Sequence, residues 1–275
     1  MKKYLIPISL LFVLIIAVIY YYSPKNIQIT VNSGIATSTT EKSIVEKTDF
    51  YTINTAYPIE ALDTSGAMER FVKYQVAQKK EDWKIGGETY KAEQQTNIDF
   101  PDRPKMEYQY FISYTKAESK KFGTVSYVFS TYEFTGGANG NTTITTFTFD
   151  KTGQLAIDAI INFVDNNNDI ALSRVLSDKI YADAGAYSDR EMIDSGLGLA
   201  YLKPDGVTLD KEKCHCDGFF FPSNFQNFVI NDGGITFVFS EYQVAPGSSG
   251  APEFTLDWET LKPYLTTQFK NTFKI

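Results

Sequence analysis

One apolar run near the N-terminus constrains this chain more than any other feature of its sequence. After Met1, Lys2 and Lys3, residues 4–22 continue for nineteen positions without a charge. At about 1.5 Å per residue, a helix of that length crosses a hydrocarbon core of roughly 30 Å. The two lysines favour a cytoplasmic N-terminus, because positive charge is kept on that side of a membrane. We therefore predict a single-pass anchor in the cell membrane over residues 1–22, with the bulk of the chain extracytoplasmic.

Two other interpretations of this run remain open. A secretory signal peptide usually has an apolar region of about 7 to 15 residues and ends in a small-x-small cleavage site. The run here is longer and ends in YYYSPK, but cleavage would give a secreted protein. A buried core helix is the third interpretation. A lipoprotein anchor is excluded, because no cysteine follows the run directly.

The next residues differ in composition from the rest of the chain. Residues 23–47 are rich in serine and threonine and show no helical or strand period, which is typical of a flexible tether. Apolar residues make up 43% of the sequence, enough to form a buried core. We divide the remaining chain into an N-terminal α+β half, residues 48–149, and a C-terminal α+β half, residues 150–275.

Apolar periodicity in the N-terminal half predicts strands and one helix. The i, i+3, i+4 spacing from Met68 to Val76 predicts a short helix that begins after Asp63, Thr64 or Ser65 as a cap. Alternating apolar residues predict four strands, the first of them closed by Pro58, over residues 51–57, 106–114, 125–129 and 142–150.

The C-terminal half has a different order of elements. Helical spacing predicts a helix over residues 170–180, and Asn-Asp-Gly-Gly at residues 231–234 predicts a β-hairpin. A last helix is expected over residues 258–269, with Asp257 as its cap. Because strands and helices do not alternate regularly, the predicted fold class is α+β, with an antiparallel sheet and a few packed helices.

A resemblance to a known domain rests on residues 242–265, YQVAPGSSGAPEFTLDWETLKPYL. This segment resembles the C-terminal signature of an extracytoplasmic bacterial domain of unknown function. Three weaker matches precede it in the expected order: a strand ending in Tyr57-Pro58, GGANGN at residues 136–141, and FTFDKTGQL at residues 147–155. The domain forms the outer part of RsiV-type, lysozyme-sensing anti-sigma factors and the N-terminal part of PdaC-type peptidoglycan deacetylases.

The resemblance implies a recognition module that contacts lysozyme or the cell wall, and two departures from the relatives narrow its function. Only three residues precede the apolar run, too few to hold a sigma factor in the cytoplasm. The deacetylases carry a separate metal-dependent catalytic domain, and we find none in this sequence, which has one histidine. We therefore expect neither sigma-factor binding nor deacetylation, and we expect a protein that is not an enzyme.

Two glycine-rich loops are the candidate contact surfaces. Exposed loops on a rigid scaffold often carry binding residues, although these glycines also suit backbone angles that other residues resist, so a purely structural role stays open. The candidate residues are Gly136, Gly137, Asn139 and Gly140 in the first loop, and Tyr242, Pro246, Gly250, Pro252 and Glu253 in the second.

Few residues are available for catalysis or metal binding. A zinc site with two or three histidines is impossible within this chain, and no Gly-x-Ser-x-Gly motif is present. Asp165, Asn167 and Asp169 begin like a calcium loop, but Ile170 stands where that loop needs glycine. A helix-capping cluster or an irregular cation site remains. We predict no cofactor, and a cryptic hydrolase built on two carboxylates stays as an alternative.

Cys214 and Cys216 are the only cysteines, and they flank the single histidine. Outside the cytoplasm they can form a disulfide, although its very small loop gains little stability. Free thiols, or metal and redox chemistry, are the other interpretations.

Charge and aromatic content bear on the partner. Without Lys2 and Lys3, the extracytoplasmic part has 24 cations and 33 anions, a net charge of −9. This charge excludes nucleic acid and favours a basic partner, such as a lysozyme-like protein, while peptidoglycan is the alternative. The aromatic residues of the middle strands could stack on sugars, although aromatic cross-strand pairs are ordinary in sheets.

Overall fold

Six strands form the main sheet of the computed structural model, which describes residues 40–96, 107–165, 167–184, 189–214 and 221–275. All of these residues belong to one unit, Ala36–Ile275. The predicted anchor and residues 23–39 of the predicted tether lie outside the described ranges. Within those ranges, no helix is both long enough and apolar enough to cross a membrane.

The main sheet follows chain order from edge to edge. Its strands are β1 (Thr40–Lys47), β2 (Tyr51–Ile59), β3 (Tyr108–Ser119), β4 (Thr124–Phe134), β5 (Asn141–Asp150) and β6 (Gly153–Leu155). Every neighbouring pair is antiparallel except β2 and β3, which run parallel. The predicted α+β class is confirmed, and the prediction of an antiparallel sheet is wrong for the β2–β3 pair.

Strand β1 corrects the predicted boundary of the tether. All eight of its residues pair with β2, so the prediction of a tether is wrong for Thr40–Lys47. Ile44 packs against the core, while most of its neighbours are charged or polar. Charged residues are common on edge strands, where they discourage pairing with other chains, and they give such a strand the composition of a linker. The Nζ atom of Lys42 lies 3.4 Å from the Glu69 carboxylate on the neighbouring helix.

Helix α1 (Ala67–Thr96) connects the two parallel strands and is much longer than predicted. Parallel neighbours need such a crossover, because a tight turn reverses the chain direction and can therefore join only antiparallel strands. Asp63 caps the helix as expected, since its carboxylate accepts hydrogen bonds from the amides of Ala67 and Met68 at 2.8 and 2.9 Å. Trp83, beyond the predicted helix, is buried against aromatic rings of the sheet, with its ring centroid 5.3 Å from that of Tyr108.

The first core lies between α1 and one face of the main sheet. Side chains alternate between the two faces of a strand, so only every second residue of β2 to β5 contributes to this core. Its aromatic rings meet edge to face, as Phe71 and Phe129 do at a centroid distance of 5.7 Å. The largest fully buried members are Ile53, Met68, Tyr110, Tyr127, Phe129 and Phe149.

The second core is formed mainly by side chains of the C-terminal half. A three-stranded antiparallel sheet comprises β7 (Phe228–Ile230), β8 (Gly234–Val238) and β9 (Glu253–Asp257), which confirms the predicted hairpin. The helices are α2 (Ile157–Ile160), α3 (Asn168–Ala184), α4 (Arg190–Gly196), α5 (Lys211–Cys214), α6 (Trp258–Leu261) and α7 (Thr267–Phe273), with 3-10 turns at Leu199–Tyr201, Phe221–Phe225 and Gly247–Ser249. Helix α3 confirms the predicted helix over residues 170–180.

The predicted last helix is divided into α6 and α7. Pro263 lacks the amide that would continue the helical hydrogen bonds, so α6 ends before it. The side chain of Thr266 then caps α7 by accepting from the Phe269 amide at 3.1 Å. Asp257 caps α6 as predicted, with 2.7 Å to the Thr260 amide.

Candidate functional site

The first candidate loop joins β4 to β5 and is open to solvent. Gly136, Gly137 and Asn139 are exposed, and Gly136 has a φ of 90° that only glycine adopts without strain. Gly140 contacts the ring of Tyr132 so closely that an added Cβ would collide with it. The loop is therefore anchored on an aromatic side chain of the main sheet.

The second candidate segment begins with a strained tyrosine. Tyr242 has a φ of 64°, in the left-handed region that bulky residues rarely adopt, yet 58% of its surface is exposed. Its ring lies over Gly247, where a Cβ would collide with it. Such strain costs of order 1 to 3 kcal/mol, and strained residues are concentrated at functional sites.

The remaining candidates shape the same segment. Pro246 precedes the 3-10 turn Gly247–Ser249, and Gly250 follows it with a φ of 67°. Pro252 accepts a hydrogen bond from the Phe239 amide at 2.9 Å through its carbonyl oxygen. Glu253 then begins β9, and desolvation by burial raises the pKa of its carboxyl.

Two hydrogen bonds bring the candidate loops together. The backbone amide of Thr142 donates to the Glu241 carboxylate at 2.9 Å, and the Glu241 amide donates to the Thr142 carbonyl at 3.1 Å. Thr142 follows the first loop by two residues, and Glu241 immediately precedes Tyr242. The structure therefore places side by side two segments that are about a hundred residues apart in sequence.

Side-chain groups form hydrogen bonds with the backbone at the adjacent edge of β5. The Ile144 amide donates to the Ser240 hydroxyl at 2.9 Å, and the side-chain amide of Asn227 exchanges hydrogen bonds with the Thr146 amide and the Ile144 carbonyl at 3.0 and 2.8 Å. Without such partners, the backbone N–H and C=O groups of an edge strand can pair with a strand of another chain. These contacts fix the second segment to the main sheet.

An open row of side chains crosses the main sheet beside these loops, on the face opposite α1. We name it the aromatic row. Strand register aligns its five members, which are Val45, Asn54, Phe111, Tyr132 and Thr142. The rings of Phe111 and Tyr132 are stacked, with centroids 5.9 Å apart and planes inclined by 17°. Val45 and Asn54 are exposed, and the other three are partly exposed.

The C-terminal residues cover the sheet face on one side of the aromatic row. Ile144 is buried with Val229 and Val238, and Val128 and Ala251 pack against them. Toward the row, Ser113 is exposed and Ser130 is partly exposed. The face therefore passes from a covered apolar patch to an open surface, and the open surface borders both candidate loops.

Other residues singled out by the sequence lie elsewhere. Asp169 is in the first turn of α3, 7% exposed, and its carboxylate accepts from the Ile170 amide at 2.8 Å. Burial raises the pKa of that carboxyl. Asp165 accepts from the Asn162 side chain at 2.6 Å, and Asn167 has a φ of 55°. Among the described residues, no group of three or more histidine, cysteine or acidic side chains could hold a metal ion.

Cys214 ends α5 and is disulfide-bonded. Cys216, the only other cysteine of the sequence, lies outside the described residues together with His215.

The loops, the aromatic row and the two sheets define an α+β domain whose candidate site is a binding surface. Residues 163–259 match the family model described as protein of unknown function, DUF3298. Peptidoglycan-N-acetylmuramic acid deacetylase PdaC of Bacillus subtilis is 28% identical over 239 residues, which cover 83% of this chain and 42% of that protein. The resemblance to this domain and to PdaC is thus confirmed. The chain spans less than half the length of PdaC.

The structure of a DUF3298 protein shows a similar fold. A DUF3298 protein of Bacteroides fragilis has a TM-score of 0.55 and 19% identity, with 86% of this chain and 96% of that chain covered. A DUF3298 protein of Pseudomonas aeruginosa has a TM-score of 0.44 and 12% identity, covering 84% of this chain and 96% of that chain.

Proposed function

We propose that this protein is a membrane-tethered, extracytoplasmic recognition module without enzyme activity, and that it binds a basic protein such as lysozyme. The observation that carries the proposal is the pair of hydrogen bonds between Thr142 and Glu241, which join the two candidate loops. Two exposed loops held on one sheet edge form a preorganised surface, and preorganisation lowers the entropy lost on binding.

Tyr242 supports a binding role for this surface. Tyrosine is enriched among the residues that dominate binding energy, because a rigid ring buries a large area at a small entropic cost. Here the ring is exposed, held by Gly247 and carried on a strained backbone. A glycine at position 242 would adopt the same φ without strain, so a structural role alone does not explain a tyrosine at this position.

Charge supports a basic partner. The net charge of −9 after residue 22 attracts cations over several ångströms and speeds encounter with a basic protein. Glu241 immediately precedes Tyr242, and Glu253 follows further along the same segment. Membrane tethering rests on the apolar run of residues 4–22, and the similarity to PdaC, a peptidoglycan deacetylase, supports a role in the cell envelope.

We expect full-length protein in mild detergent to retain lysozyme in a pull-down at low salt and to lose most of it at high salt. Tyr242→Gly should weaken retention about tenfold or more while leaving the urea midpoint unchanged or raised, because glycine relieves the strain. Tyr74→Ala is the matched control, since Tyr74 is 63% exposed on α1, away from the loops.

No retention of lysozyme at low salt would eliminate this partner. Equal retention by the wild-type protein and Tyr242→Gly would eliminate the loop surface as its binding site. Two measurements test the localisation. The intact chain should sediment with the membrane fraction, and protease added to intact cells should digest it from outside.

A further inference from the structure

Strand β1 leaves one edge of the main sheet open to another strand. It is first in the sheet order, and no other described strand pairs with its outer edge. The Thr48 amide donates to the Tyr51 carbonyl at 2.9 Å, a hydrogen-bonded pair that continues the β1–β2 register. Such pairs alternate along an antiparallel ladder, so every second residue of β1 directs its backbone N–H and C=O groups outward. These residues are Glu41, Ser43, Val45 and Lys47.

The outward groups limit how a second strand of the same sequence can pair with β1. Two residues of an antiparallel pair exchange both hydrogen bonds only when each directs its backbone groups at the other. An outward residue must therefore face another outward residue. This condition excludes the register that sets Glu41 opposite Glu46, because the backbone groups of Glu46 are directed inward at Ile53.

Charge selects one of the allowed registers. The strand reads EKSIVEK from Glu41 to Lys47. When Ile44 faces Ile44 of a second copy, Lys42 faces Glu46 and Glu41 faces Lys47, and the two-fold symmetry forms each ion pair twice. A shift of two residues in either direction sets Lys42 or Glu46 opposite Ile44 and loses these ion pairs. Opposite charges stabilise a cross-strand pair, and like charges destabilise it.

Side chains of β1 are accessible to a second strand. Val45 is 69% exposed, and the side chain of Lys47 is 73% exposed. In the register centred on Ile44, Val45 lies opposite Ser43 and diagonally beside Val45 of the second copy, at a separation that side chains can bridge. Pairing would therefore bury an apolar side chain that the single chain leaves in water.

The four charged side chains of β1 also have partners in their own chain. For Lys42, Glu46, Lys47 and Glu41 in that order, these partners are Glu69, Lys80, Glu107 and the Tyr114 hydroxyl. A lysine has three donors and a carboxylate has two acceptor oxygens, so each group can add a bond across an interface. Cross-strand pairing would extend these ion pairs.

We propose that β1 pairs with β1 of a second copy of this chain, antiparallel and centred on Ile44, so that two six-stranded sheets become one. A single strand pair buries less area than a standard protein interface, so the dimer should dissociate readily on dilution. This association goes beyond the proposed protein binding and uses neither candidate loop. It would present two copies of the loops to a partner.

Sedimentation velocity of full-length protein in mild detergent, over a range of concentrations, measures the dimer. Lys47→Glu sets carboxylates against each other and should weaken dimerisation about tenfold or more. Glu41→Lys sets lysines against each other and should have the same effect. The double variant Glu41→Lys/Lys47→Glu restores opposite charges and should dimerise as the wild-type protein does. Lys151→Glu is the matched control, because it makes the same charge change at an exposed turn between β5 and β6.

A mixture of the two single variants gives a sharper test. Lys47→Glu paired with Glu41→Lys has opposite charges at every facing pair, so differently tagged chains of the two variants should copurify more than either variant does with itself. Equal copurification of mixed and unmixed variants would overturn the proposal, even where a single variant is destabilised.

Two further outcomes count against the dimer. A wild-type protein that stays monomeric at every concentration would overturn it, and so would a dimer that Lys47→Glu does not weaken while its urea midpoint matches that of the wild-type protein. Tyr242→Gly should dimerise as the wild-type protein does, and Lys47→Glu should still retain lysozyme. Failure of one proposal therefore leaves the other testable.

Discussion

Gly196 occupies a position where no side chain fits. It ends α4, and a Cβ at this position would collide with the carbonyl oxygen of Gln243, the residue after Tyr242. The end of one helix thus sets the position of the strained tyrosine. Gly233, in the turn between β7 and β8, has nothing within 4 Å of an added Cβ.

We expect Gly196→Ala to lower the free energy of unfolding by about 1 to 3 kcal/mol, the usual cost of overpacking. The displaced Gln243 should also weaken any binding that depends on Tyr242. Gly233→Ala is the matched control and should change stability by less than about 0.5 kcal/mol. Urea denaturation measures both variants, and equal midpoints for the two would contradict the close approach of Gly196 to Gln243.

Single residues also show which parts of the site are predictable from the sequence. Both candidate loops were predicted from glycine-rich composition and from the resemblance. The φ of Tyr242 could not be predicted, because tyrosine adopts positive φ rarely and no local sequence demands it. The stacking of Phe111 on Tyr132 was missed as well, since it depends on the exact register of β3 and β4.

At the scale of elements, α1 depends on a cap that lies outside it. Asp63 accepts from two amides of the first turn, and Ser65 contributes only a hydroxyl that donates to Asp63 at 3.0 Å. We expect Asp63→Ala to destabilise the protein by about 1 kcal/mol, the usual value of a cap, and Asp63→Asn to restore most of the loss. Ser65→Ala should have little effect in the same urea titration, and a loss as large as that of Asp63→Ala would show that the cap is not the cause.

Elements were predictable where one face is apolar and unpredictable where few side chains are buried. Among the described side chains in the second half of α1, which end at residue 89, Trp83 is the only large buried one, so this stretch lacks the helical period of apolar residues. Strand β1 buries little beyond part of Ile44, and its sequence therefore predicts a tether rather than a strand. The β7–β8 hairpin was predictable because its turn residues and both apolar strands are consecutive.

At the scale of the whole molecule, Asp232 ties the two cores together. Its carboxylate accepts from the Ser119 hydroxyl at 2.6 Å and from the Lys121 amide at 3.2 Å, and its carbonyl accepts from the Trp258 indole at 3.0 Å. Nearby, Phe122 packs edge to face on Trp258, with centroids 4.8 Å apart. The turn between β3 and β4 is thus bound to the C-terminal sheet.

This tie should weaken in acid. The Ser119 hydroxyl, and then the Lys121 amide, hold the pKa of Asp232 below its ordinary value of 3.8. A lowered pKa in the folded state stabilises the protein above pH 3.8, and this contribution is lost as the pH falls through the folded pKa. We expect Asp232→Ala to unfold at lower urea than the wild-type protein at pH 7, and the difference to shrink below pH 3.8.

The matched control is Asp158→Ala, which removes an exposed acid on α2. It should show no comparable loss at pH 7. A constant difference between Asp232→Ala and the wild-type protein at all pH values would contradict a contribution from the ionised carboxylate.

The hydrogen bonds between Thr142 and Glu241 have a consequence for folding kinetics. They span 99 residues of chain, and contacts so distant in sequence form slowly, because a long loop must close first. During synthesis from the N-terminus, the six-stranded sheet can pair while Glu241 has not yet been made. A nascent chain therefore cannot hold the two loops together until synthesis has passed Glu241.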